Sequence, residues 1–169
     1  MDDFLKNGTS ILLFACLAAI GYLIWELLQL KDYLKKANPE NKKLQLLAYE
    51  RLTVFAERTG LKSLVSSSEV QGESAAIMHG VLIQNIKAEY EYNTSQQIYV
   101  SKEIWTAITK LKDQNIYVIN QLAAMLPPQA TSLDLSKRIM EYSIAQNTEL
   151  NSYVLDALQH EAKEVMKEG

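Results

Sequence analysis

The densest run of functional side chains in this chain is Glu89-Tyr90-Glu91-Tyr92-Asn93-Thr94-Ser95-Gln96-Gln97-Ile98-Tyr99-Val100-Ser101. Two nearby carboxylates are the usual equipment for general acid and base work. At ~100° per helical residue, however, Glu89 and Glu91 point about 200° apart and cannot flank one substrate. Glu91 is better placed to pair with Lys87, one turn earlier. His79 has Ala75, Ala76, Leu82 and Ile83 at the positions where a second metal ligand on the same helix would stand. His160-Glu161 begins like a zinc-protease helix, but position 164 is Glu, so the second histidine is missing. There is no glycine-rich phosphate loop and no nucleophile elbow. The expectation is no catalytic residue, no metal, no cofactor and no enzyme. The competing reading is a membrane-tethered enzyme that uses Glu89 or His79 near the Asn93 to Ser101 loop.

The remaining polar text of that loop has two readings. Asn93, Gln96 and Gln97 can satisfy backbone groups left open where the helix breaks. Alternatively, with Tyr99 and Trp105, they form a partner surface. The sole cysteine, Cys16, excludes an intramolecular disulfide. A net charge of −3 and no basic tract beyond Lys43 argue against a nucleic-acid surface.

What must position these groups begins near the N-terminus. From Gly8 to Leu30 the chain reads GTSILLFACLAAIGYLIWELLQL, and nineteen uncharged residues separate Lys6 from Glu26. That length crosses a hydrocarbon core of ~30 Å as a helix. Eleven of the residues from Thr9 to Leu30 are Leu, Ile or Phe, and together they favour insertion by about 3–6 kcal/mol. Glu26, close to the edge, opposes this by less than the ~3 kcal/mol of a mid-membrane carboxylate. The acidic start Met1-Asp2-Asp3 and an apolar run that ends in Tyr22, Trp25 and Glu26 argue against a cleaved signal peptide. Lysines at 31, 35, 36, 42 and 43, against Lys6 alone before the span, place the C-terminal bulk inside. Ala15 and Ala19 form a small-xxx-small pair, and with Glu26 they are candidate contacts to a partner helix. Lys31, Lys35 and Lys36 are candidates for anionic lipid headgroups.

The expected division is a periplasmic segment 1–8, a transmembrane helix 9–30, a basic juxtamembrane segment 31–38, and a cytoplasmic all-α bundle 39–169. Periodicity predicts about four helices in that bundle. The first starts at Asn38-Pro39 and ends at Gly60, with Leu44, Leu47, Ala48, Leu52 and Phe55 as its stripe. A serine-rich connection follows, and Ser68 with Gln71 suggests a capping box. The second helix buries Ala75, Met78, Leu82, Ile86 and Tyr90. After an extended Ile98-Tyr99-Val100, Ser101 caps a third helix, which ends before Pro127-Pro128. A long last helix runs from Ser132 to about Lys167, interrupted near Gln146-Asn147, and its charged end projects beyond the bundle.

Leu47-Ala48-Tyr49-Glu50-Arg51-Leu52 with Phe55-x-Glu57-Arg58, together with the Glu89 to Ser101 run and Trp105, resembles an uncharacterised membrane-anchored helical family of the Bacteroidota. The resemblance covers roughly residues 9 to 123 and leaves out the tail from Pro127. It implies a single-pass protein of a Gram-negative inner membrane, N-terminus out and domain in the cytoplasm, and transfers no catalytic residue. The function expected is a non-enzymatic accessory or scaffold subunit docking on a larger inner-membrane protein complex, with a homo-oligomer left open. A cytosolic-face sensor or ribosome tether is a further alternative.

Overall fold

A computed structural model describes residues 16–31, 39–68, 72–145 and 150–167. The chain divides into two units, Met1–Glu40 with Glu168–Gly169, and Asn41–Lys167. Apart from one bridged residue pair, the regular structure among the described residues is helical.

The first unit contains helix α1, residues 16–31. Its apolar side chains point in every direction, and each of Leu17, Ile20, Tyr22, Leu23, Ile24, Trp25, Leu27, Leu28 and Leu30 is more than half exposed. Among the described residues no helix is long and apolar enough to cross a membrane. Of the expected span 9–30, residues 9–15 lie outside the described residues, as do Lys35 and Lys36.

Among its described residues the second unit holds six helices where about four were expected: α2 (Pro39–Thr59), α3 (Leu61–Ser67), α4 (Ala75–Asn93), α5 (Lys102–Ala124), α6 (Ser132–Ala145) and α7 (Leu150–Lys167), with a 3-10 turn, η1 (Thr94–Ile98), between α4 and α5. The serine-rich connection is helix α3 because Leu61 and Leu64 are buried one turn apart. Ser67 and Ser68 then close its end, both hydroxyls donating to the Leu64 carbonyl at 3.2 and 2.7 Å. Ser68 therefore ends a helix, and Gln71 lies outside the described residues. Ser74 caps α4 instead, accepting from the Ile77 N–H.

Gly60 is no left-handed terminator either. It has φ −56° and ψ 136°, and its use is close approach: a Cβ there would stand 2.9 Å from Asn151 Nδ2. The long last helix is two, α6 and α7, with residues 146–149 outside the described residues. Its charged end packs and does not project. Val165 lies against the core, and Lys42 Nζ donates to the Met166 carbonyl at 3.3 Å.

Two clusters share α5 as a common wall. Ile104, Ile108 and Leu111 pack with Tyr49, Leu52 and Phe55 of α2 and Val154 and Leu158 of α7. Val118 and Ile119 pack with Leu61, Leu64, Met78, Leu82, Ile86, Leu135 and Ile139. Between them on the same face sits Asn115, whose Nδ2 donates to the Thr59 carbonyl at 2.9 Å and so ties α5 to the end of α2. Asn115→Leu leaves that buried carbonyl without this donor, and the expected loss is roughly 1–3 kcal/mol, read from the urea midpoint.

Three of the five residues of the expected α2 stripe, Ala48, Leu52 and Phe55, are buried, and the two at its start are not. Leu44 and Leu47 are 37% and 43% exposed, while Ala48, Tyr49, Leu52, Phe55 and Ala56 are buried. Tyr49 and Ala56 complete the buried face, which gives α5 and α7 a broader apolar surface than the expected stripe alone.

Candidate functional site

The Asn93 to Ser101 corner exists because local side chains take over from the helix backbone. Asn93 Nδ2 donates to the Glu89 carbonyl at 2.8 Å, and Thr94 Oγ1 to the Tyr90 carbonyl at 3.1 Å. Such bonds compete with helix continuation. The chain tightens into η1, the Tyr99 N–H bonds the Gln96 carbonyl, and Ser101 Oγ accepts from the Ile104 N–H to start α5. Ile98, expected to be extended, closes the 3-10 turn.

This folding separates the residues expected to act together. Asn93 and Gln96 are buried, and Gln96 Nε2 donates to Ser95 Oγ at 3.1 Å. Gln97 is exposed and Tyr99 half-buried. Trp105 stacks on Tyr90 at 5.4 Å between ring centres. Tyr90 also meets Phe55 edge-on at 6.2 Å, and Lys112 Nζ sits 4.5 Å over its ring. Since the Thr109 hydroxyl already donates to the Trp105 carbonyl, the 3.1 Å contact between Tyr90 and Thr109 has Tyr90 as donor. Thus Trp105 stiffens the corner from behind. The outward apolar residues beside it are Ile98 and Tyr92, 72% and 71% exposed.

Glu89 and His79 do not meet. Ten residues of α4 separate them, about 15 Å. Glu89 accepts from Arg58 Nη1 at 3.0 Å, whereas His79 Nε2 donates to Asn120 Oδ1 at 2.7 Å. The Arg58–Glu89 pair lies in an open groove of about 550 Å³ lined also by Asn85 and Tyr92. With Arg58 mostly exposed, it adds little stability. On α1, Ala19, Glu26 and Lys31 are exposed, while Ala15 lies outside the described residues. Among the described residues no group of three potential metal ligands converges.

A polar junction that sequence reasoning missed joins three elements. Glu161 accepts from Tyr49 OH at 2.9 Å on one carboxylate oxygen and from Ser101 Oγ at 2.7 Å on the other. It thereby couples α7 to α2 and to the cap of α5. The available signal was Glu161 itself, three residues after Leu158 and four before Val165, a carboxylate on the apolar side of its helix.

Burial first, and then the Glu161 carboxylate, push the Tyr49 phenol well above its ordinary range. A raised phenol pKa means the fold favours neutral tyrosine. That contribution is complete below the unfolded pKa of ~10 and is lost as pH climbs above it. Tyr49→Phe should therefore cost about 1 kcal/mol near pH 7 through the lost hydrogen bond, with the gap to wild type closing above pH ~10. Urea midpoints at both pH values measure it, and a pH-independent gap would contradict it.

A family model described as "Family of unknown function (DUF7935)" matches residues 10–165. The match takes in the tail from Pro127 onward. No curated protein matches the chain, and no solved structure does.

Proposed function

We propose, for a chain that belongs to this family of unknown function, that it is a non-enzymatic single-pass accessory or scaffold subunit whose helical domain docks on a larger membrane protein complex. The observation that carries the reading is α1. A helix with apolar side chains around its circumference, and every residue from 16 to 31 exposed, is the kind that lipid or a partner helix covers. Residues 9–15 extend the same apolar text toward the N-terminus, so we read 9–30 as a transmembrane anchor in a Gram-negative inner membrane. In this reading the N-terminus faces out and the domain faces the cytoplasm, the orientation that the lysines after the span favour.

Ala15, Ala19 and Glu26 are then the residues offered to a partner helix, and Lys31, Lys35 and Lys36 meet anionic headgroups. In the second unit, Gln97, Ile98 and Tyr92 give the partner an outward surface on a stiff aromatic support. The enzyme alternative would use the Arg58–Glu89 groove, where an ion pair faces solvent.

Purification of the tagged full chain from native membranes in mild detergent tests the role. A stoichiometric membrane partner is expected, and it should be lost on Ile98→Asp with the fold intact. Recovery of the chain alone would count against it.

A further inference from the structure

Helix α2 carries a second line of side chains beside its buried face. Leu44, Leu47, Arg51, Val54 and Arg58 follow one another at alternating steps of three and four residues, the spacing of a seam between two helices. All five are exposed, the three apolar ones at 37%, 43% and 42%. Lys43, Glu50 and Glu57, also exposed, each stand one residue before a member of the line, on the flank away from buried Ala48 and Phe55. Glu40 continues the line four residues before Leu44.

This face of α2 therefore holds three acidic and three basic side chains, and their order along the helix decides what can cover it. In an antiparallel pair of α2 helices with its midpoint near residue 50, Lys43 of one copy meets Glu57 of the other, and Glu50 meets Arg51. Glu40 likewise falls opposite Arg58. The residue numbers of these pairs sum to 100, 101 and 98, so a single two-fold axis serves all of them, and every pair is of opposite sign. The same axis sets Leu44 against Val54 and Leu47 against the stem of Arg51.

The two Glu50 carboxylates approach each other near the axis, and each is answered there by Arg51 of the other copy. In a parallel pair Arg51 and Arg58 would face their own counterparts, which like charge disfavours. Of the neighbouring helix α4, Glu89 already holds Arg58 at 3.0 Å and the Tyr92 ring lies 5.9 Å from the Arg51 guanidinium. Glu40 too makes a contact within its own chain. The outer pair thus adds least, and Lys43 with Glu57 and Glu50 with Arg51 carry the match.

We propose that this face of α2 is a homodimer seam, closed by a second copy of the chain lying antiparallel on it. From residue 44 to residue 58 the seam is about 21 Å long, short enough that association is weak and reversible. The proposal is independent of the anchor reading, and it leaves Gln97 and Ile98 open to another partner.

Two differently tagged full chains, both Cys16→Ser, are co-expressed and treated in intact cells with a short, permeant bismaleimide. With Leu44→Cys in one and Val54→Cys in the other, a mixed cross-linked dimer is expected. With Leu44→Cys in both, the thiols lie ten residues apart along the seam, about 15 Å, and cross-linking should be several-fold lower. Equal uptake of a monofunctional maleimide shows that the thiols react alike.

Lys43→Glu in both chains turns two attractive pairs repulsive and should weaken the mixed cross-link roughly tenfold. Adding Glu57→Lys should restore it. Cross-linking of the 44–44 pair as strong as that of the 44–54 pair overturns the antiparallel seam. Absence of any cross-link, or a further loss on adding Glu57→Lys, overturns it equally, and each of these results leaves the anchor and the docking role standing.

Discussion

Phe55→Ala is expected to cost about 3–5 kcal/mol, the range for emptying a large aromatic site in a packed core. Phe55 is fully buried, in the cluster formed by α2, α5 and α7, and it meets Tyr90 edge-on. Its removal opens a cavity bounded on several sides by helices that cannot collapse onto it together. A bundle of this size has roughly 5–15 kcal/mol of stability in all, so the variant should melt on the order of 10–20 °C lower. Leu47→Ala provides the contrast. Leu47 was expected on the same stripe as Phe55 but lies at the edge of the buried face, 43% exposed, so its loss should stay within about 0.5–1 kcal/mol. Equal effects at the two positions would mean that α2 is rotated from the orientation described.

The second large effect is on membrane retention and is independent of the first. Leu17→Arg combined with Leu23→Arg places two guanidinium groups in the apolar stretch, each costing about 2.5–3.5 kcal/mol near mid-membrane. Together they match or exceed the ~3–6 kcal/mol that the apolar side chains supply. The double variant should move from the membrane pellet to the supernatant in alkaline extraction. Phe55→Ala, unstable as it is, should remain in the pellet. If both charges left the chain in the pellet, another attachment would have to hold it there.

Much of the bundle was legible because its helices obey one period. Met78, Leu82 and Ile86 recur every four residues, as do Ile104 and Ile108, and a buried face follows directly. Ser101 was legible as a cap because its hydroxyl acts within three residues of itself. Helix α3 was not, since seven residues with two apolar anchors look like a connection until the packing partner is known. Gly60 misled for a similar reason. A glycine after a helix suggests a left-handed turn, whereas here the constraint comes from Asn151, far away in sequence.

The candidate site shows the same divide. Local bonds make the corner, so its position could be read from Asn93 and Ser101. Which side chains face outward depends on what packs behind it: Phe55 and Tyr90 claim Trp105, and Gln96 turns inward, leaving Gln97 and Ile98 outside. The Tyr49–Glu161–Ser101 junction joins residues 112 and 60 positions apart, a separation at which no periodic pattern carries information.

Cys16 gives the most direct test of the anchor, because it is the sole thiol and lies in α1, where it is exposed on its own chain. In native membranes treated with a membrane-impermeant maleimide, it should stay unlabelled until detergent dissolves the bilayer and then react to completion. Full labelling before detergent, in chain recovered from the aqueous fraction, would contradict the anchor and the docking role that depends on it.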